Sequence, residues 1–174
     1  ALREAKSKGA RTISIVNVIA STIARESDDV IYTMAGPEIA VATTKAFSAQ
    51  LCVSYLLALK FAKAKSLLSE SDEEKYCAEI LRLPELIEGI LKTDSALKEL
   101  AKSYADSENV FFIGRGLDYA ISLEGSLKLK EISYIHSEAY AAGELKHGTI
   151  SLIEDKTPVF AVATQSDLNE KTLG

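Results

Sequence analysis

The sequence predicts an α/β fold in which short buried strands alternate with helices in parallel sheets. Residues 12–18 and 109–113 are rich in β-branched and aromatic side chains, a composition typical of strands buried on both faces. Segments with helical spacing of apolar residues follow these strands. A charged stretch without strand signals separates the two α/β halves, so we predict a half-domain at 1–68, a helical connector at 69–107 and a second half-domain at 108–174.

The first half begins inside a helix. Residues 2–8 end this helix, with Gly9 as its stop. Residues 12–18 and 30–34 are predicted strands joined by a polar connection. Gly36 and Pro37 then break the chain before a long helix that starts near residues 41–45 and runs to about residue 65.

The uncharged stretch at 46–59 of that helix is too short to span a bilayer, so we expect it to lie in the protein core. Thr43 and Thr44 stand where the helix starts. Hydroxyls and free N–H groups at such a position suit an anion or a sugar hydroxyl, but they also serve as ordinary helix caps. The sequence alone favours capping.

The connector is predicted to contain two helices. The first starts at a capping box in residues 71–74 and continues toward Pro84, and the second covers residues 94–105. Residues 109–113 then form a strand, and the Gly114-Arg115-Gly116 turn leads into a helix over 118–135. A glycine-rich turn between strand and helix is compatible with a phosphate site, but a tight backbone turn is the favoured interpretation. Residues 158–163 form a further strand.

The helix at 118–135 carries three ionisable side chains on one stripe. At about 100° per residue, Glu124, Lys128 and Glu131 fall within roughly 60° of each other. The flanking residues are mainly apolar and the polar ones gather opposite: Ser122, Ser126, Lys130 and Ser133. We therefore expect a buried apolar face with the stripe at its centre. A structural Glu-Lys-Glu ladder and a catalytic site both remain open, because charges in such a face must pair or line a polar pocket.

Composition excludes several classes of function. The net charge of −5 and the pI near 5.2 show no excess of positive charge of the kind that binds nucleic acid or an acidic membrane surface. Cys52 and Cys77 are far apart and lack metal spacing, so they are predicted to be thiols in a reducing, cytoplasmic setting. His136 and His147 cannot form a histidine metal site by themselves. No signal peptide opens the chain, and no cofactor is expected.

Three long motifs resemble one enzyme family. LEGSLKLKEISYIHSEAYAAGELKHG, AGPEIAVATTKAFSAQ and GRGLDYAISLEG are similar to the isomerase region of the glutamine–fructose-6-phosphate aminotransferases, also called glucosamine-6-phosphate synthases. The resemblance covers essentially the whole chain. It implies three-layer αβα parallel-sheet SIS (sugar isomerase) domains, with the C-terminal half of one and the N-terminal half of the next joined by the connector. It also implies a homodimer acting on fructose 6-phosphate to make glucosamine 6-phosphate.

The resemblance implies a role for each matched residue. Glu131 matches the base that moves a proton between C2 and C1 of the sugar, and Lys128 matches a lysine beside it. Glu124 matches a glutamate that pairs with this lysine. His147 matches the histidine that assists ring opening in the site of the partner subunit. The remaining two matches, Val41 and Thr43, correspond to positions that contact the sugar.

The chain also departs from the family. Thr149 replaces the proline that usually follows His-Gly, which puts the presentation of His147 in question. The N-terminal glutaminase domain, the phosphate-binding loop and the C-terminal lysine that forms an imine are absent from this sequence, so we expect the chain alone to be inactive. Two alternatives remain: a SIS sugar-phosphate isomerase or amino-sugar-phosphate deaminase without a glutaminase, and a non-catalytic module that senses sugar phosphates.

Overall fold

A computed structural model describes residues 1–173 of the chain. They form two compact units that divide between Lys92 and Thr93. Each unit has a parallel sheet, so the prediction of an α/β fold with parallel strands is confirmed. None of the helices in the described residues is long and apolar enough to cross a membrane.

The first unit begins with two parallel strands and ends with two long helices. Its elements are α1 (Leu2–Ser7), β1 (Ile13–Val16), α2 (Thr22–Glu26), β2 (Asp29–Tyr32), α3 (Lys45–Ala64) and α4 (Glu70–Leu91). Strands β1 and β2 pair from Ile13 beside Asp29 to Val16 beside Tyr32. Both predicted strands are confirmed, but β1 is shorter than predicted and β2 starts one residue earlier and ends two residues earlier. The sequence pattern misses α2 because five residues are too few to show a helical period. Ser21 caps α2 by accepting the N–H of Ala24 at 3.2 Å.

The uncharged stretch at residues 46–59 predicted that α3 lies in the protein core. The structure shows that it does not. None of its residues is buried, and Tyr55, Leu56 and Phe61 are each about half exposed. The helix packs beside α4, and an apolar groove runs between the two. The prediction was wrong because an uncharged helix becomes a core helix only where neighbouring elements cover it, and here α3 keeps much of its apolar surface uncovered.

Helix α4 starts at Glu70, one residue before the predicted capping box. Ser69 is the cap, and its hydroxyl accepts the N–H of Asp72 at 3.1 Å. The helix continues through Pro84 to Leu91. The capping prediction therefore identified the right serine-rich segment but the wrong serine.

The second unit has a three-stranded sheet in the order β4-β3-β5, with all strands parallel. Its elements are α5 (Asp94–Lys102), β3 (Asn109–Gly114), α6 (Leu117–Ser133), β4 (His136–Ala141), β5 (Val159–Ala161) and α7 (Asn169–Leu173), with 3-10 turns at Leu145–His147, Thr149–Leu152 and Ser166–Leu168. Phe111 lies beside Glu138 of β4 and Val159 of β5. The predicted strands at 109–113 and 158–163 are confirmed, whereas β4 was not predicted.

Helix α6 packs on the sheet through its small residues. Ser122 is fully buried and Ser126 is 2% exposed, and the Ser126 Oγ accepts a hydrogen bond from Ser137 of β4 at 3.0 Å. A Cβ on Gly125 would lie 3.2 Å from the Phe112 ring, so the helix approaches the strand closely. This overturns the prediction that Ser122 and Ser126 face solvent.

Several large apolar residues of α6 are exposed. Leu123 and Leu127 are 47% and 42% exposed, so the prediction that their face is buried is wrong for the described residues. The physical reason is that serine and glycine allow the helix axis to approach the strands. The helix ends at Ser133, two residues before the predicted end, because Tyr134 adopts a left-handed conformation with φ of 63°.

Candidate functional site

The three ionisable residues predicted to share a stripe on α6 are in contact. The Lys128 Nζ lies 2.6 Å from the Glu131 Oε2 and 3.4 Å from the Glu124 Oε1. These are i,i+3 and i,i+4 pairs, the separations at which helical side chains meet. One ammonium therefore lies between two carboxylates, and the group of three carries a net charge of −1.

This Glu-Lys-Glu cluster is partly shielded from water. The Lys128 side chain is 18% exposed, compared with 24% for Glu124 and 31% for Glu131. The hydrogen bond to Glu131, together with the charge of Glu124, raises the pKa of Lys128 above its ordinary value. The lysine therefore stays cationic at neutral pH and holds a fixed positive charge beside the Glu131 carboxylate.

The start of α6 is fixed by the turn that precedes it. A Cβ on Gly114 would lie 2.5 Å from the carbonyl carbon of Asp118, so only glycine fits this approach of strand to helix. Gly116 has a φ of +54°, in the left-handed region that favours glycine. This geometry is that of the tight turn favoured by the sequence.

Asp118 is a buried carboxylate that the sequence analysis did not identify. It accepts hydrogen bonds from the Thr164 N–H at 2.9 Å and from the Thr164 hydroxyl at 2.5 Å, and a longer one from the Gln165 N–H. These bonds, led by that of the Thr164 hydroxyl, lower the pKa of Asp118. The first turn of α6 is thus tied to the segment that follows β5, which fixes where the Glu-Lys-Glu cluster stands. No sequence signal marked this pair, because the two residues are 46 positions apart.

His147 lies in the 3-10 turn Leu145–His147 that follows β4. It is exposed, and its N–H donates to the Glu144 carbonyl at 3.0 Å. Within residues 1–173 its ring forms no hydrogen bond or ion pair, so the structure does not bring it to the Glu-Lys-Glu cluster. Thr149 begins the next 3-10 turn, in which the Ser151 N–H donates to the Gly148 carbonyl at 3.0 Å, and Gly148, directly after His147, has a φ of +140°.

Val41 and Thr43 lie in the loop between β2 and α3, in the first unit. Val41 is 89% exposed and Thr43 is half-buried, whereas Ala42 between them is only 6% exposed. The residue before α3 is Thr44, and its side chain makes no capping hydrogen bond. The capping role favoured by the sequence is therefore wrong for Thr44.

Metal ligation has no candidate in the part of the chain that the structure describes. There, no three His, Cys, Asp or Glu side chains are grouped so that they could hold a metal ion. The chemistry available at the Glu-Lys-Glu cluster is that of two carboxylates and an ammonium.

Comparison with known proteins identifies relatives of the chain. A sequence profile described as the SIS domain matches residues 1–60 and 103–173. The chain is 58% identical over 173 residues to the isomerizing glutamine–fructose-6-phosphate aminotransferase of Clostridium tetani. That match covers 99% of this chain and 28% of the relative, so the chain spans little more than a quarter of its length. The resemblance found in the motifs is confirmed.

Solved structures give the same result. The C-terminal domain of glucosamine-fructose-6-phosphate aminotransferase from Francisella tularensis superposes with a TM-score of 0.96 at 43% identity, over 99% of this chain and 49% of that one. Glucosamine-6-phosphate deaminase from Thermotoga maritima superposes with a TM-score of 0.71 at 29% identity, over 97% of this chain and 49% of that one.

Proposed function

Because this chain belongs to the SIS domain family, we propose that it is part of the isomerase region of a glutamine–fructose-6-phosphate aminotransferase. The whole enzyme converts fructose 6-phosphate and ammonia derived from glutamine to glucosamine 6-phosphate. The observation that carries this proposal is the Lys128 ammonium held 2.6 Å from the Glu131 carboxylate. The 58% identity to the Clostridium tetani enzyme supports the choice of reaction.

Glu131 is the proposed base of the isomerisation. Interchange of a ketose and an aldose derivative requires a proton to leave one carbon and return to its neighbour, and a carboxylate can carry that proton. Loss of the proton leaves negative charge on an enediol-like intermediate. The Lys128 ammonium stabilises this charge, and Glu124 holds the lysine in place from its other side.

The other matched residues have proposed roles in sugar recognition. Val41 and Thr43 contact the sugar, and the exposure of Val41 leaves it available for this. His147 assists ring opening in the site of a partner subunit, so we propose a homodimer. The exposed position of this histidine supports that role.

The proposed organisation follows the sequence prediction. Residues 1–68 form the latter part of a first SIS domain, 69–107 a helical connector, and 108–174 the early part of a second SIS domain. The two stretches matched by the SIS profile, 1–60 and 103–173, support this division. A cytoplasmic location also remains a prediction.

A second candidate is a SIS enzyme without a glutaminase domain. The match to the Thermotoga maritima deaminase favours it, although at 29% identity compared with 58% for the aminotransferase. An N-terminal cysteine amidotransferase domain encoded upstream of this segment separates the two, because only the aminotransferase requires it. A non-catalytic sensing module, the third alternative, would tolerate Glu131→Gln.

The direct test is turnover by the full-length parent protein. We expect it to form glucosamine 6-phosphate from fructose 6-phosphate and glutamine, with the product measured by mass spectrometry. Product formation that needs ammonia alone and never responds to glutamine would favour the second candidate. The absence of any sugar product with either nitrogen source would refute both enzymatic proposals.

A further inference from the structure

The side-chain amide of Asn17, just after β1, makes three hydrogen bonds to one short segment. Its Nδ2 donates to the Gly36 carbonyl at 2.6 Å. Its Oδ1 accepts from the Thr33 hydroxyl at 3.0 Å and from the Ala35 N–H at 2.9 Å. A hydroxyl and an N–H meet the amide oxygen while a carbonyl meets its nitrogen, so both ends of the amide are used in one orientation. A single side chain therefore fixes the chain where it leaves β2.

These bonds hold a backbone that would not otherwise be favoured. Met34 has a φ of 54° and Gly36 a φ of 72°. Left-handed backbone is rare for a residue with a long side chain such as methionine, so surrounding contacts have to maintain it. Both neighbours of Met34 donate to the same Asn17 oxygen, Thr33 through its hydroxyl and Ala35 through its backbone N–H, which restrains the chain on either side of Met34.

A second contact closes the far end of the same loop. Lys45, the first residue of α3, donates from its Nζ to the Pro37 carbonyl at 2.6 Å. The β2–α3 loop, residues 33–44, is thus held near its start by Asn17, and Lys45 ties its far end back to Pro37.

Val41 and Thr43 lie within this loop, close to its Lys45 end. The chain has no regular secondary structure there, and Ala42 is buried while Val41 points into solvent. Since no strand or helix fixes the loop, its conformation depends on the contacts at its two ends and on the burial of Ala42.

We propose that Asn17 and Lys45 are positioning residues that preorganise the β2–α3 loop for sugar phosphate. The inference rests on the proposed function, because it takes Val41 and Thr43 as the sugar contacts. A loop already held in its binding conformation loses less entropy when the ligand binds, so its clamps act on affinity for the sugar. The proposal gives neither residue a contact with the reacting carbons.

The test uses the full-length parent protein with Asn17→Ala, Asn17→Asp and Lys45→Met. We expect Asn17→Ala to raise KM for fructose 6-phosphate about tenfold. The substitution removes the three hydrogen bonds that hold the loop, and the free energy needed to re-form its binding conformation then weakens sugar affinity by that factor. Asn17→Asp keeps the two accepted bonds but sets a carboxylate oxygen against the Gly36 carbonyl, so its KM should also rise above that of the wild type. Asn109→Ala is the matched control: this asparagine contacts His136 at the start of β3 and should leave KM unchanged.

A merely structural role predicts a different pattern. Fewer folded molecules would lower kcat and leave KM unchanged, and that outcome, or wild-type KM in both Asn17→Ala and Lys45→Met, would overturn the proposal. Hydrogen exchange gives a second readout that does not depend on sugar chemistry. Amides of residues 33–44 should exchange about tenfold faster in Asn17→Ala and Asn17→Asp, and unchanged exchange would refute the clamp even if the parent failed to convert fructose 6-phosphate. Failure of the wild-type parent to form product, with faster exchange in the variants, would instead refute the proposed function alone.

Discussion

Gly114→Ala should destabilise the second unit strongly, because it places a methyl group inside the backbone of α6. The added Cβ would lie 2.5 Å from both the carbonyl carbon and the oxygen of Asp118, and 2.6 Å from the Tyr119 nitrogen. Ordinary contacts between such atoms are near 3.5 Å, so the helix must move by about 1 Å. Since these atoms are backbone, no side chain can rotate away to relieve the overlap. Overpacking of this kind costs about 3 kcal/mol, a large share of the stability of a domain.

Urea unfolding measures this cost. With an m-value of about 1.5 kcal/mol/M, the midpoint should fall by about 2 M, and amides of β3 and α6 should lose protection from exchange. Gly89→Ala is the matched control: its Cβ meets nothing within 4 Å on helix α4, so the better helix propensity should raise stability by about 0.8 kcal/mol. An unchanged midpoint for Gly114→Ala would refute the close approach of β3 to α6.

Three further predictions concern the charges of α6. In the parent enzyme, Lys128→Met should lower kcat for the sugar reaction about 100-fold or more while glutamine hydrolysis continues, because the cation beside the intermediate is lost; an unchanged sugar kcat would contradict its role. Pairing with Glu131 raises the pKa of Lys128 above 10.5. The stabilisation that this pair gives the folded protein is therefore fully present below pH 10.5 and is lost as pH rises through the folded pKa. Thermal unfolding of Lys128→Met should lack this alkaline decline in stability. Hydrogen bonds from Thr164 lower the pKa of Asp118 below 3.8, so the stability contributed by the ionised Asp118 is present above pH 3.8 and is lost as pH falls through the folded pKa. The stability of Asp118→Asn should therefore decrease less in acid than that of the wild type. An equal decrease in both proteins would count against the buried pairing.

The sequence predicts strands that are apolar runs, whether or not the structure buries them: Val110 and Phe111 of β3 are buried, whereas Ile13 of β1 is 52% exposed. Strands β1 and β3 are apolar runs, whereas β4, with the sequence HSEAYA, alternates and lies at the edge of its sheet. Its Ser137 is fully buried although serine is a polar residue, so hydropathy gave no strand signal. Composition therefore predicted a strand only where the residues on both of its faces are apolar.

The orientation of α6 could not be predicted, because side-chain size decided it rather than polarity. Ser122 and Ser126 face the sheet since a small residue permits close packing; the Ser122 hydroxyl donates to the Asp118 carbonyl of its own helix, and the Ser126 hydroxyl accepts from Ser137 of β4. Helical spacing nevertheless predicted the contacts of Lys128 with Glu124 and Glu131, because those contacts depend on the helix alone.

The long-range parts of the candidate site had no sequence signal. Asp118 meets Thr164, and Asn17 meets Gly36, only after the strands have paired. The roles assigned to His147 came from the resemblance alone and stay predictions.

The central claim is that Glu131 carries the proton of a sugar isomerisation. The measurement is product formation by full-length parent protein carrying Glu131→Gln, supplied with fructose 6-phosphate and glutamine, with Glu154→Gln at an exposed position as the control. Glu131→Gln should hydrolyse glutamine but form no glucosamine 6-phosphate, because an amide cannot accept the proton, while Glu154→Gln should match the wild type. Glucosamine 6-phosphate formed at the wild-type rate by Glu131→Gln would contradict it.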